Sequence, residues 1–362
     1  MANISLRDVA SVAGVSISTV SKVVSGTAVR SRIHPATITK VLDLVDELGY
    51  VPNHTARRLR AQGTGQLGLV LSGPYDPCLT MMYWLDGALF YGLSVAAREH
   101  HLPAVILYPQ VGDELIQNTA RYVDGRIDGL LVRCLYHSEH RLLDVIDPGR
   151  LPLVALWSQS VPPGIGYADV DHYQGAVVAV EHLLSLGHRR IAYIDPETGD
   201  GNLHFALRYR GYRDALRAAR IAAHPERSVL DHPGVLNLLE GSRPITAVFV
   251  PQDTHAAELI DWLHAQGVRI PEDLSVVGFD DFPNASLIAG GLTTVRQPIA
   301  EMTVQAVSNL LALIAGASVD QCRSLVPAPL ITRHTTAPPA AAASGALRVR
   351  VGHSLMEGAR AN

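Results

Sequence analysis

A short stretch near the amino terminus constrains this chain most, because it can form two helices joined by a tight turn. The stretch runs from Leu6 to Val24, and its two helical patterns meet at Gly14. Glycine permits the tight turn there, and the small side chain of Ala10 lets the helices approach each other. Val20 can pack the second helix onto the first, and Ser16 can cap it. This pattern predicts a helix-turn-helix, whose second helix enters the major groove of DNA.

The charge of the chain is distributed unevenly. The formal net charge is −4 over 362 residues, but residues 1–62 carry +4 and the remainder −8. A basic head on an acidic body places a phosphate-binding surface at the amino terminus. With 48% apolar residues the chain can bury a sizeable core, and its length indicates more than one domain.

Cysteine usage and the first residues indicate the compartment. Only Cys78, Cys134 and Cys322 occur, without a CxxC pair, which argues against a disulfide scaffold or a cysteine-ligated zinc. The amino terminus lacks the pattern of a secretory signal, and no run reaches the apolar length of a membrane span. We therefore expect a cytoplasmic protein without membrane contact.

Beyond the head, the pattern changes twice. A third helix is predicted over Pro35–Leu48, followed by a short basic segment that ends at Gln62. From Gln66 to Thr336, apolar strands alternate with amphipathic helices such as Gln174–Leu186, which predicts parallel sheets covered on both faces. Periodicity leaves open whether there is one large sheet or two smaller ones. The strand candidates are Leu67–Leu71, Ala104–Tyr108, Gly129–Val132, Leu153–Trp157, Ile191–Ile194, Ala247–Val250 and Val276–Phe279.

Several strings in a fixed order resemble the lactose-repressor (LacI) family of transcription regulators. The resemblance covers about residues 4–336, and no single motif carries it. In the head, the strings are Leu6-Arg7-Asp8-Val9-Ala10, Ala13-Gly14-Val15-Ser16, Thr19-Val20-Ser21-Lys22-Val23 and Glu47-Leu48-Gly49-Tyr50-Val51-Pro52-Asn53. In the body, they include Gly187-His188-Arg189-Arg190-Ile191-Ala192, Val276-Val277-Gly278-Phe279-Asp280-Asp281 and Thr293-Thr294-Val295-Arg296-Gln297-Pro298.

The resemblance implies a division into four parts and a non-enzymatic role. Residues 1–52 would form the all-α helix-turn-helix domain and residues 53–64 a hinge helix. Residues 65–336 would form an α/β, periplasmic-binding-protein-like effector domain of two parallel-sheet subdomains. The chain would cross between these subdomains near residues 168–172 and 295–299. The low-complexity tail 337–362 is expected to be disordered. A homodimer without cofactor is implied.

The resemblance also assigns DNA-binding residues. On the recognition helix these are Ile17, Ser18, Thr19 and Lys22, of which Ile17, Ser18 and Lys22 would meet base edges of a double-stranded, twofold-symmetric operator. Arginine is usual in the family at the position of Lys22, so the preferred base can differ. The hinge would contribute Asn53, Ala56, Arg57 and Leu59, with Leu59 wedged into the minor groove.

For the effector, the resemblance implies a ligand-gripping pair, Arg208 and Asp253, on opposite walls of a cleft. Such a pair suits a polyhydroxylated ligand, so a sugar or sugar derivative is expected, with a nucleobase or other metabolite as the alternative. Trp157 can stack on the ligand or fill the core. Further lining positions are Tyr75, Asp171, Gln174 and Gln297.

Other functions fit the sequence less well. Residues 63–68 match G-x-G-x-x-G, but a strand follows them where a dinucleotide site needs a helix. The histidines near residues 100 and 140 are explained by surface loops, so no metal is expected. Asp280-Asp281 is interpreted as part of a structural string rather than a catalytic pair. The rival class is a small-molecule-binding protein without DNA function, which would lack the basic head.

Overall fold

In the computed structural model, the chain divides into two units, Met1–Thr64 and Gly65–Asn362. The described residues are 6–24, 33–48, 63–71, 80–109, 114–135, 137–195, 203–221, 228–229 and 232–340. The predicted hinge residues Asn53, Ala56, Arg57 and Leu59, and also Tyr75, lie outside them.

The first unit contains the predicted helix-turn-helix. Helices α1 (Leu6–Ala13) and α2 (Ile17–Val24) are joined by a turn in which Gly14 has a φ of 65°, a conformation that favours glycine. Helix α3 (Pro35–Glu47) completes the unit. The buried core consists of Val9, Ala10, Ala13, Val20, Val23 and Val41, and it includes Ala10 and Val20, the two packing residues predicted from the sequence.

Side chains cap two of these helices. The backbone N–H of Thr19 donates to Ser16 Oγ at 3.1 Å, as predicted for the start of α2. At α3, Nδ1 of His34 accepts from the backbone N–H of Ala36 at 3.3 Å. The imidazole thus takes the capping role that serine or threonine usually has.

The second unit contains two six-stranded sheets. Its strands are β1 (Leu67–Leu71), β2 (Val105–Pro109), β3 (Gly129–Arg133), β4 (Leu153–Leu156), β5 (Gly166–Val170), β6 (Ile191–Asp195), β7 (Ser228–Val229), β8 (Ala247–Phe249), β9 (Ser275–Asp280), β10 (Thr293–Arg296), β11 (Arg323–Val326) and β12 (Leu330–Ile331). Its helices are α4 (Thr80–Glu99), α5 (Glu114–Gln117), α6 (His137–Val145), α7 (His172–Ser185), α8 (Leu203–Ala218), α9 (His232–Glu240), α10 (Asp253–Ala265) and α11 (Ile299–Ile314).

The sheet order confirms the two-subdomain fold. The first sheet runs β11-β5-β4-β3-β1-β2, entirely parallel, and the second runs β12-β10-β9-β8-β6-β7, with only β12 antiparallel. Successive strand residues alternate between separate apolar clusters, as Leu69 and Val70 do in β1, so both faces of each sheet are covered.

The chain crosses between the sheets at the two predicted places and at a third. It passes from β5 through residue 171 into α7, and from β10 into α11, which packs on the first sheet. A third crossing, over residues 327–329, connects β11 to β12 and was not expected. It is bonded to the second crossing, because the backbone N–H of Arg296 donates to the carbonyl of Pro329 at 2.8 Å.

The sequence did not predict five of the strands, for physical reasons; these are β5, β7, β10, β11 and β12. β5 and β10 contain polar residues that are buried, such as Asp169 and Thr294, so their patterns do not look apolar. β11 lies at a sheet edge and is only partly buried, and β7 and β12 span two residues each.

The hydrogen-bonded part of the second unit extends past residue 336, where the α/β domain was predicted to end. The backbone of Ala337 donates to and accepts from Ser275 Oγ, and its carbonyl accepts from His188 Nε2 at 2.9 Å. These bonds anchor the start of the segment that was expected to be disordered, whereas residues 341–362 lie outside the described part. Within the described ranges, no helix has the length and apolar character needed to cross a membrane.

Candidate effector site and DNA-reading helix

The three side chains predicted to read bases are exposed on α2. Ile17 is 40% exposed despite being apolar, and Ser18 and Lys22 are exposed as well. Thr19 is half-buried, and its Oγ1 lies 2.8 Å from Ser16 Oγ, so its hydroxyl supports the helix start. Ile17, Ser18 and Lys22 are therefore the α2 residues best placed to meet a groove.

A cavity of about 90 Å³ lies in the second unit at the carboxyl ends of strands from both sheets. Ligands of open parallel sheets bind at such ends. Its polar lining comes from α8, the residue before α10, the end of β9 and the second crossing: His204, Arg208, Gln252, Asp280 and Gln297. Arg208 and Gln297 were predicted, and His204, Gln252 and Asp280 were not.

Arg208 is 97% buried, yet its guanidinium is well satisfied. Its Nε and one terminal nitrogen lie 3.3 and 3.2 Å from Nδ1 of His172, and the other terminal nitrogen donates to the carbonyl of Pro251. The carboxylate of Asp280 lies at 3.4 Å, and the guanidinium carbon stacks 3.7 Å from the centre of the Phe279 ring. One side chain thus connects α7, α8 and β9.

Asp280 is held in an unusual backbone conformation. Its φ is 126°, and that of Asp281 is 54°, both outside the range that side-chain-bearing residues prefer. Asp281 is fixed by Arg296 at 2.7 Å and Arg333 at 2.6 Å. These ion pairs offset the strain of the turn, which brings the Asp280 carboxylate to the cavity.

Asp253 lies elsewhere than the resemblance implied. It is fully buried; its Oδ1 accepts from Thr294 Oγ1 at 2.6 Å and its Oδ2 from the backbone N–H of Asp281 at 2.8 Å. It does not line the described cavity. Gly278 lies directly against this carboxylate and has no room for a Cβ. Asp253 therefore positions the Asp280–Asp281 turn, and Asp280 is the carboxylate beside Arg208.

Two further predicted residues serve the helix rather than the cavity. Oδ1 of Asp171 accepts from the backbone N–H of Gln174 at 2.9 Å and so caps α7, and Gln174 is exposed. Gln297 is different, since its Nε2 donates to Oδ1 of Asp280 at 2.6 Å.

An aromatic and aliphatic wall faces the polar groups. It includes Trp157, for which the sequence left two roles open, stacking on the ligand and filling the core. The other residues of this wall were not predicted. The remaining apolar lining residues are Trp84, Leu85, Leu135 and Phe205. A signal for Leu135 and Trp157 was available, because Trp157 is the last residue of one predicted strand and Leu135 lies shortly after the end of another.

Beside Arg208 lies a buried cluster of Asp169, His172 and His204, close enough together to suggest a metal site. The hydrogen bonds fix the imidazole protons. Nε2 of His204 donates to the carbonyl of Trp157 at 2.9 Å, and His172 accepts from Arg208 on Nδ1, so its proton is on Nε2, 3.4 Å from Asp169. Both Nε2 atoms carry protons, so this arrangement does not fit a metal.

Burial shifts the pKa values of this cluster. It lowers the pKa of His172 well below 6.5, with Arg208 adding to the shift, and it lowers that of His204 to about 3. It raises the pKa of Asp169 and of Asp280, and Arg208 opposes both shifts. His172 is consequently neutral near pH 7, as its role as acceptor for Arg208 requires.

We predict that Asp253→Ala lowers the free energy of unfolding by about 3 kcal/mol, because it removes the acceptor of two buried hydrogen bonds. Urea unfolding measures this, and Asp261→Ala, at an exposed position of the same helix, is the control. If both variants are equally stable and only Asp253→Ala loses its response to effector, the side chain acts on the ligand instead.

The depressed pKa values of His172 and His204 predict acid sensitivity. In the unfolded state both imidazoles bind a proton below about pH 6.5, whereas in the folded state they stay neutral. Their contribution to the free energy of unfolding is therefore complete above that pH and is lost as the pH falls. Between about pH 7 and about pH 5.5 we expect each residue to contribute a loss of about 1 kcal/mol.

Urea unfolding at both pH values checks this with the double variant His172→Asn/His204→Asn, which should lose correspondingly less stability than the wild type. The raised pKa values of Asp169, Asp253 and Asp280 act in the opposite sense, and these residues are present in both proteins. His264→Asn, at an exposed position, should keep the wild-type dependence. An unchanged pH dependence in the double variant would contradict the assigned protonation states.

Comparison with known proteins agrees with this arrangement. Residues 5–53 match the model of bacterial regulatory proteins of the lacI family, and residues 180–336 match a periplasmic binding protein-like domain. The ribose operon repressor of Haemophilus influenzae is 32% identical over 325 residues, covering 84% of this chain and 90% of the relative. The regulator GalS of Salmonella typhimurium is 31% identical over 347 residues, covering 92% and 97%.

Solved structures share the fold. The regulator CelR in complex with cellobiose aligns with a TM-score of 0.60 at 27% identity, covering 92% of this chain and 99% of that one. The Lac repressor dimer bound to operator and the anti-inducer ONPF aligns with a TM-score of 0.69 at 24% identity, covering 93% and 100%. The chain belongs to the LacI family of DNA-binding transcriptional regulators, which are not enzymes.

Proposed function

We propose that this chain is a cytoplasmic repressor that binds a twofold-symmetric operator as a homodimer and is controlled by a small polyhydroxylated effector. The observation that carries the effector assignment is the cavity with Arg208, Asp280 and Gln297 on its wall. A guanidinium, a carboxylate and an amide can bind neighbouring hydroxyls of one ligand. The ribose and cellobiose named for two relatives support a sugar or sugar derivative as that ligand.

Exposed apolar residues support the homodimer. Phe90 is 40% exposed and Tyr91 65% on α4, and Leu107 is 45% exposed on β2, which is the edge strand of the first sheet. Apolar side chains at a helix and a sheet edge are typical of an interface between subunits. A dimer would present two recognition helices to two half-sites.

Control of DNA binding follows from coupling between the cavity and the hinge residues 53–64. Both crossings lie close to the cavity, since Gln297 of the second crossing lines it and His172, which directly follows the first crossing, contacts the lining residue Arg208. An effector with different affinity for two arrangements of the subdomains shifts the equilibrium between them. We propose that this shift acts on a hinge formed by Asn53, Ala56, Arg57 and Leu59, as the family resemblance implies.

On DNA, Lys22→Ala should relax the base preference at one position of each half-site, because Lys22 is exposed on the recognition helix. In vitro site selection from random duplexes measures this. Lys40→Ala, at an exposed position of α3, is the comparison, and it should weaken binding to all sequences and reduce the salt slope by about one. An unchanged base preference in the Lys22 variant would show that this residue does not read sequence.

Effector control is tested with Asp280→Asn, since asparagine tolerates the positive φ but lacks the charge. Fluorescence anisotropy with the selected operator, titrated with ribose, cellobiose and other sugars, should show wild-type operator affinity without sugar and no response to the sugar that acts on the wild type. Asp320→Asn, 91% exposed at its side chain, should respond normally. A full response in the Asp280 variant would place the effector elsewhere.

A further inference from the structure

The exposed face of α8 carries a straight row of arginines. The opposite face of this helix is buried and includes Arg208, which lines the effector cavity. Arg210, Arg213 and Arg217 are all exposed, and they follow one another at intervals of three and four residues. Such spacing aligns side chains along one side of a helix, over about 10 Å, where a second helix can pack. The three residues form one surface, the arginine row.

Neighbouring groups orient two guanidinium groups of the row. Asp214 accepts from Arg217 at 3.0 Å and from the hydroxyl of Tyr173, on α7, at 3.3 Å. Arg210 lies 3.8 Å from the same carboxylate, and its guanidinium carbon lies 5.2 Å from the centre of the Tyr173 ring. Both arginines nevertheless remain about 70% exposed at their side chains. Arginines oriented in this way lose less conformational entropy when they bind an anion.

The row carries more positive charge than its surroundings balance. Between residues 203 and 221 the sequence has five arginines, and Asp214 is the only acidic residue. Arg213 has no carboxylate partner among the described residues, and its guanidinium carbon lies 5.7 Å from the centre of the Tyr209 ring. Like charges four residues apart, as in Arg213 and Arg217, destabilise a helix. A partner with negative charges would offset this repulsion.

The distribution of charge favours an acidic protein helix over a nucleic acid. From residue 63 onward the chain carries a net charge of −8. A DNA duplex is a continuous, rigid polyanion and would extend past the row over this acidic surface. A helix with carboxylates on one side interacts with the row alone, because charges more than about 8 Å away are screened at physiological ionic strength. Glutamates with the same spacing would each face one arginine.

We propose that the arginine row is a docking surface for an acidic α-helix of another protein. Carboxylates of the partner helix pair with the three arginines. Ala206 lies one turn before the row and is exposed, and its small side chain lets the partner backbone approach. The groove that receives the partner helix is lined by Ala206, Tyr209, Arg210, Arg213, Asp214 and Arg217. This interaction is additional to the binding of operator and effector.

Two labelled peptides test this surface on the full-length protein. Both are alanine-rich and about 20 residues long, so that they form helices in water. One peptide carries glutamates alternately three and four residues apart, on one face, and the other carries the same number five residues apart, on all faces. Fluorescence anisotropy should show about tenfold tighter binding of the one-faced peptide, and added salt should weaken this binding.

Charge reversal identifies the arginines that bind. In the double variant Arg213→Glu/Arg217→Glu, the affinity for the one-faced peptide should fall at least about tenfold, because two attractions become repulsions. Arg213→Ala leaves the contacts of Asp214 in place and should cause a smaller loss. Arg243→Glu, at an exposed position of the same subdomain, is the matched control and should bind the peptide as the wild type does. Circular dichroism and operator affinity should be unchanged in all variants.

Four results would overturn the proposal. The first is equal affinity for the two peptides, or no binding at millimolar concentration. The second is unchanged peptide affinity in the double variant. The third is displacement of the peptide by random duplex together with weaker operator binding by the double variant, which would assign the row to DNA. The fourth is a changed oligomeric state of the double variant in sedimentation, which would assign the row to contacts between copies of this chain.

Discussion

The second unit depends on one buried guanidinium. Arg208 is withdrawn from water, which lowers its pKa, and it is stabilised by His172, the Pro251 carbonyl, Asp280 and the ring of Phe279. Leaving the Asp280 carboxylate buried without it would cost several kcal/mol. Because the partners belong to different elements, the position of Arg208 determines how the first crossing, α8 and β9 meet at the cavity.

A second layer of contacts supports that arrangement without facing the cavity. Asp253 accepts from the Asp281 backbone and from Thr294, and two arginines pair with Asp281. The strained turn therefore has fixed partners on each side. His204 adds a bond to the Trp157 carbonyl in the other subdomain, so the neutral imidazoles connect the two halves of the site.

The sequence was sufficient to predict the structure where local chemistry decides it. Gly14, Ala10 and Val20 act as predicted in the helix-turn-helix, and the apolar strands lie within a residue or two of their predicted bounds. It was insufficient where a side chain can point either way. The resemblance assigned Asp253 to the ligand, but a carboxylate at a helix start can turn inward to β9 and β10, and only the packed structure shows that it does. His172 and His204 were missed because they are 32 residues apart and meet only in the fold, with ring centres 4.3 Å apart.

The most direct measurement is a crystal structure of the full-length protein with the effector that changes its operator affinity. We predict ligand density at the carboxyl ends of both sheets, with a ligand donor within hydrogen-bond distance of the Gln297 amide oxygen and Asp280, and with Arg208 still stacked on Phe279. Density at another site, with the Gln297 oxygen still buried and without a partner among the described residues, would contradict this prediction.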